Sequence, residues 1–219
     1  MKTMKTGVRR LFRALAFAGS ARYWARRYAA GGTSGEGSYG DLATFKAEIM
    51  NEFVAANNIA RVIEFGCGDG NQLALMKYPR YVGFDVSHQA VSLCQKRFAM
   101  DPSKAFAHMD DYKGEKADLG LSLDVVFHLV EDALFEQYMR RLFSASLRHV
   151  IVYSSNSQSC EGTAPHVRHR IFTDWVTAHE PGFALAKIVP NRYPIGLRPG
   201  GTSFAHFFFF DRKHEQGAV

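Results

Sequence analysis

Between Arg61 and Asn71 the chain reads RVIEFGCGDGN, a short apolar run that breaks into glycines at 66, 68 and 70. A run of that length bounded by glycine predicts a buried strand. Glycines at every second position predict a turn where the backbone comes close to a ligand. Beyond the turn, strand and helix patterns alternate. Strands are expected at 61–65, 81–85, 105–109, 118 to about 124, 149–154, 183–189 and 203–211. Helices are expected at 41–57, 70–77, 87–99, 132–146 and 172–179. Strands joined by helices pair in parallel, with the crossovers on both faces. The last two strands are separated only by PNRYPIGLRPGGT, which predicts antiparallel pairing at the edge. The expected fold is therefore α/β: a doubly wound, seven-stranded, mostly parallel sheet with helices on both faces and an antiparallel C-terminal edge strand.

A chain of 219 residues that is 47% apolar fills one sizeable domain. Its charge is unevenly placed. Residues 1–35 hold eight Lys or Arg and no acid, whereas the rest carries 19 bases against 21 acids. The basicity thus belongs to an arm (1–40, with the glycine-rich GGTSGEGSYG loop at its end), and the folded domain is expected over 41–219. A nucleic-acid footprint would be expected to colour the body as well. Such an arm suits phosphate or an anionic lipid surface, or packs on the domain or a second copy, with Leu11, Leu15, Tyr23 and Trp24 forming a rough helical stripe. Cysteines at 67, 94 and 160 make no disulfide framework, and no apolar run reaches bilayer length. A reduced, cytoplasmic setting is expected.

In such sheets ligands bind outside the carboxyl ends of the strands, where the strand order reverses. Gly66, Gly68 and Gly70 follow the first predicted strand, and Asp85 closes the second at the distance expected of a ribose-binding acid. Asp110 and Asp111 follow the third, placed either to accept from an exocyclic amine or simply to cap a turn. Together these suit an adenosine-containing ligand. The pattern is G-x-G-x-G, however, with Asp69 inside the turn, and a carboxylate beside two phosphates is electrostatically poor. A cofactor with no phosphate and a positive centre suits Glu64 and Asp69 better, although Glu64 also reads as a structural cap.

The stretch VIEFGCGDGN followed by YVGFDVS resembles the first two motifs of the class I S-adenosylmethionine-dependent methyltransferases, and SLDVVFHLVED (122–132) is similar to the segment closing their fourth strand. The resemblance implies a Rossmann-like methyltransferase fold. It implies S-adenosylmethionine as cofactor, with Gly66 to Gly70 beside its methionine and ribose. Asp85 would take the ribose hydroxyls and Asp110 or Asp111 the adenine. Leu123 and Asp124 would lie at the methionine end, and Tyr39 with its loop would form a lid.

Methyl transfer to a hydroxyl requires alignment and removal of a proton. His128, one turn past Asp124, is the first candidate base; it also reads as a structural residue opening the next helix, which Glu131 and Asp132 would cap. His166 and His169 are further candidates. With Arg168 and Arg170 they crowd one loop that either grips an anionic substrate or is a solvated basic surface. Tyr153, Asn156, Arg192 and Tyr193 are expected to wall the same pocket. The chain lacks N-P-P-Y after the fourth strand and has no activated cysteine beside an acceptor. No acid cluster suits a metal ion. The expected activity is methyl transfer, with O-methylation favoured, to a small, polar, anionic metabolite such as a sugar or secondary-metabolite intermediate. The alternatives are an RNA methyltransferase gripping RNA with its arm, and a cofactor-binding protein without chemistry.

Overall fold

The computed structural model describes residues 17–158 and 164–213. Its elements in chain order are α1 (Ser20–Ala29), α2 (Gly40–Ala56), β1 (Arg61–Phe65), β2 (Arg80–Asp85), α3 (His88–Arg97), β3 (Lys104–His108), β4 (Ala117–Leu123), α4 (Asp132–Ser144), β5 (Ser146–Ser154), α5 (Phe172–His179), β6 (Phe183–Val189) and β7 (His206–Arg212). Leu11 and Leu15 of the expected arm stripe, and Cys160, lie outside the described residues.

The sheet has the order β3-β2-β1-β4-β5-β7-β6. The five strands from β3 to β5 are parallel, and β7 runs antiparallel to both its neighbours. Antiparallel pairing at the C-terminal edge follows from the short 190–202 connection. In detail β7 inserts between β5 and β6, so β6 is outermost. That position explains Phe207 to Phe210, a run with no polar alternation. Phe207 and Phe209 pack with α2 residues on one face, and Phe208 and Phe210 pack under α4 and α5 on the other. A strand covered on both faces needs such a run, and each buried ring contributes about 2 kcal/mol. The order of strands reverses between β1 and β4, opening the crevice in which doubly wound sheets bind ligands.

Local differences from the sequence expectation have identifiable causes. The expected helix over 70–77 is only a 3₁₀ turn at Leu73–Leu75. Asn71 Nδ2 donates to Ser38 O at 2.8 Å and Gln72 Nε2 to Ala43 O at 2.9 Å, tying the segment to the chain before it instead of to itself. β7 starts at His206, not 203, because the Ser203 N–H is taken by Tyr193 O at 2.9 Å. Asp41 lies inside the first turn of α2, paired with Arg198 at 2.6 Å, and does not cap it. Glu131 does occupy the N-cap position of α4, but its side chain makes no cap bond there. Ser87, by contrast, opens α3 as expected by accepting from the Ala90 N–H. No helix among the described residues is long and apolar enough to cross a membrane.

Candidate active site

β1 delivers the chain into Gly66, Gly68 and Gly70, all with φ in the left-handed region. A Cβ on Gly66 would collide with Val125 Cγ2, and one on Gly68 with Ser34 Oγ, so the turn admits no side chain at either position. The turn is closed onto β2: Gly66 N donates to Phe84 O at 2.6 Å, and Gly68 N to Asp85 Oδ2 at 3.0 Å. Asp85 Oδ1 accepts from Ser87 N at 2.9 Å. Burial lifts the Asp85 pKa to about 6, against the opposing pull of the Ser87 and Gly68 N–H groups.

The floor of the adjoining cavity is acidic. Glu64 is buried and accepts from Tyr81 Oη at 2.5 Å; burial lifts its pKa to about 7, with Tyr81 and Lys46 opposing. Asp124 follows β4 with φ +59°, uncommon for a residue with a Cβ. Its N–H is fixed by Tyr153 O at 3.0 Å, and its Oδ2 lies 2.6 Å from Lys46 Nζ. Lys46 comes from α2, is 0% exposed, and has its ammonium 5.2 Å from the centre of the Tyr153 ring.

The roof comes from the other end of the sequence. Ser20, Trp24 and Tyr28, at helical spacing on α1, line the cavity opposite Glu64, Asp85 and Asp124. Ser20 fixes the helix start: its N–H and hydroxyl donate to the Glu131 carboxylate at 2.9 and 2.7 Å, and its oxygen accepts from Val130 N at 3.0 Å. The glycine-rich loop then folds over the glycine turn. Ser34 N and Tyr39 Oη donate to Asp69 Oδ2 at 2.9 and 2.8 Å, and Asp69 N donates to Ser34 Oγ at 3.0 Å. Burial works against ionisation of Asp69, but these bonds and the Asn71 N–H outweigh it and hold its pKa below the ordinary value. Asp69 is therefore committed to the loop. Ser34 and Ser38 line the cavity, while the exposed Tyr39 ties the loop down.

Residues expected around the acceptor separate into two groups. His128 lines the cavity, with Trp24 edge-on at 4.8 Å and the His166 ring stacked at 5.3 Å. Its Nδ1 lies 2.9 Å from His166 O. Since a carbonyl only accepts, Nδ1 carries the proton and Nε2 keeps its lone pair. Burial lowers the His128 pKa to about 4 and keeps the ring neutral near pH 7. His166 also stacks on Tyr23 at 4.3 Å.

The second group serves the scaffold. Arg168 donates to Val130 O, Arg170 to Leu129 O and Val130 O, and both pair with Asp132 at 3.0 Å. They strap their loop to the start of α4. His169 turns the other way, to Ser155 Oγ at 2.6 Å, as alternation along an extended segment requires. Asn156 bonds Thr173 at the start of α5. Tyr153 is buried beneath Lys46. Arg192 pairs with Glu48 at 2.8 Å, and the Tyr193 ring packs edge-on against Phe45 at 6.4 Å. Asp110 and Asp111 are exposed in a 3₁₀ turn whose Met109 lines the cavity.

Lys46, Ser20 and Tyr28 were not singled out in the sequence. Lys46 had left a trace: a lysine within the apolar stripe of Leu42, Phe45, Ile49, Met50 and Phe53 on one helix. Ser20 and Tyr28 continue the spacing of Trp24.

A glycine turn after β1 and an acid ending β2, both at the switch point of this sheet, define a Rossmann-like nucleoside-binding domain. Residues 63–146 match the family described as a methyltransferase domain. The fold is shared with the N-methyltransferase NodS of Bradyrhizobium japonicum, solved with S-adenosylhomocysteine (TM-score 0.68, 12% identity, covering 90% of this chain and 100% of that one). It is shared with magnesium protoporphyrin IX methyltransferase of Synechocystis, also solved with S-adenosylhomocysteine (TM-score 0.60, 17% identity, 95% and 100%). It is shared too with the methyltransferase domain of bacterial CtHen1 (TM-score 0.61, 18% identity, 78% and 100%). No curated protein matches this chain in sequence. The chain thus carries a methyltransferase-domain match over residues 63–146 on a Rossmann-like fold that it shares with solved methyltransferases.

Proposed function

We propose that this chain uses S-adenosylmethionine to methylate a hydroxyl group on a small, polar acceptor that carries negative charge. The observation that carries the reading is the set of charged groups lining the cavity: Glu64, Asp85 and Asp124 supply carboxylates against the single guanidinium of Arg141, and Asp124 is paired with the buried Lys46. Such a set suits ribose hydroxyls and a cationic centre and is hostile to a diphosphate. The positive-φ backbone at Gly66 and Gly68 lets Val125 and Ser34 pack against the turn, and both side chains line the cavity beside it. NodS and the magnesium protoporphyrin IX methyltransferase were both solved with S-adenosylhomocysteine, which supports the same cofactor here.

Asp85 would hold the ribose, with Val86 and Met109 beside the base. S-adenosylmethionine supplies an electrophilic methyl group, so the protein's task is to align the acceptor and take its proton. His128 is equipped for the second role, because its Nε2 lone pair is free of the His166 bond and its ring is neutral. Trp24 and Tyr28 exclude water from above. With Arg168 and Arg170 turned to carbonyls and Asp132, recognition of negative charge on the acceptor falls to Arg141, the arginine that lines the cavity.

Calorimetric titration with S-adenosylmethionine, S-adenosylhomocysteine, NAD and ATP tests the cofactor. Wild type should bind the first two alone, and Asp85→Ala should bind them about 100-fold more weakly, the loss of two charge-assisted bonds. Equal binding by wild type and variant would sink the assignment. Transfer of labelled methyl to a panel of hydroxylated acids, lost in His128→Ala, tests the acceptor class.

A further inference from the structure

α1 has two working faces. Ser20, Trp24 and Tyr28 recur every four residues and fall within about 80° of arc, all toward the cavity. Arg22 and Arg26 project from roughly the opposite side. Both are exposed, and neither has an ion pair among the described residues. An open groove runs along this outer side, with Phe17, Ala18 and Tyr23 for its apolar wall and Arg22, Arg26 and Arg27 for its cationic one. The Phe17 and Tyr23 rings lie 6.2 Å apart, centre to centre. Arg27 is already engaged, donating from Nε to Thr33 O at 2.7 Å and lying over the Trp24 ring, which leaves Arg22 and Arg26 for a ligand.

We propose that the outer face of α1 docks on an anionic lipid surface, so that the helix roofing the active site is also the helix that meets the membrane. This rests on the reading of the cavity as the methyltransferase site only for its consequence, that methyl transfer takes place beside the lipid surface. Charge complementarity carries the choice of partner. Residues 1–35 hold eight bases and no acid, whereas the body carries two more acids than bases. A long polyanion such as RNA would extend beyond the arm onto a body that has no net positive charge to hold it. A planar lipid surface meets the outer face of α1 alone, and aromatic side chains beside arginines suit the boundary between headgroups and acyl chains.

The test is flotation of the full chain with vesicles of phosphatidylcholine, with and without about 30% phosphatidylglycerol. The wild type should float only with the anionic vesicles, and about 1 M salt should release it. Arg22→Gln/Arg26→Gln should bind them about 30-fold more weakly, at roughly a fivefold loss per arginine. Its affinity for S-adenosylmethionine should be unchanged, which shows that it folds. Equal flotation with neutral vesicles, equal flotation of the double variant, or retention by a single-stranded RNA oligonucleotide without flotation would each overturn the proposal. Failure of S-adenosylmethionine to bind the wild type would instead sink the methyltransferase reading and leave the surface standing.

Discussion

The floor and the roof of the cavity are built on different principles. The floor, formed by the ends of β1, β2 and β4, is fixed by backbone bonds and buried charge: the Gly66 and Gly68 N–H groups, Asp85, and the Lys46–Asp124 pair. The roof, formed by α1 and the loop after it, hangs on side-chain bonds at its two ends, Ser20 to Glu131 and Ser34 with Tyr39 to Asp69. Buried charges are expensive to disturb, whereas a few part-exposed bonds open at modest cost. The difference separates a rigid floor from a roof that opens at lower cost.

Breaking the floor should have the largest effect. Lys46→Met leaves the half-buried Asp124 without its partner and should destabilise the fold by about 2–3 kcal/mol, less than for a fully buried pair, read as a lower urea midpoint. Adding Asp124→Leu should restore most of that loss. A mild single variant would mean that water reaches the pair and that the floor resembles the roof.

Asp85 sharpens the contrast through pH. Its folded pKa, about 6, is above the ordinary value of 3.8, so the stability linked to it is full below pH 4 and is lost as pH rises through 6. Between pH 7 and 5 the ligand-free protein should therefore gain stability relative to Asp85→Asn, by about 1–2 kcal/mol. Cofactor affinity should move the other way, falling up to tenfold per unit below pH 6, because a protonated carboxyl accepts less well from ribose hydroxyls. Calorimetry and thermal melts at matched pH check both signs. Parallel trends would remove Asp85 from the ligand.

The roof should yield the smallest effect on stability and a clear one on kinetics. Glu131→Ala removes both acceptors of Ser20 and should speed release of S-adenosylhomocysteine about tenfold, for a loss of about 1–2 kcal/mol in lid docking. With only two tryptophans in the chain, Trp175→Phe leaves Trp24 as a single fluorescent reporter inside the roof. Unchanged release in stopped flow would show that α1 does not gate the site.

Much of this division was legible in the sequence, and for a physical reason. A strand buried on both faces, a glycine turn and an acid at a strand end are each dictated by residues close to one another, so β1, Gly66 to Gly70 and Asp85 could be read from local sequence. The seven strands followed from periodicity. The insertion of β7 between β5 and β6 is a matter of pairing across the sheet, which periodicity does not encode. The 70–77 segment carried helical spacing, but Asn71 and Gln72 bond to Ser38 and Ala43, partners about 30 residues away.

The same limit applies to the site. Local sequence located the cavity floor and brought His128 to it. Which arginines are tied down and which face out was decided by tertiary contacts: Arg168 and Arg170 found the carbonyls of Leu129 and Val130, and Arg22 and Arg26 were left facing out. So too with Lys46, whose charge is tolerable within an apolar helix face only because Asp124, 78 residues later, waits beneath it. Short-range sterics and periodicity fix strands and turns within a few residues; the pairing of buried charges depends on what the folded chain brings together, and only the tertiary structure decides that.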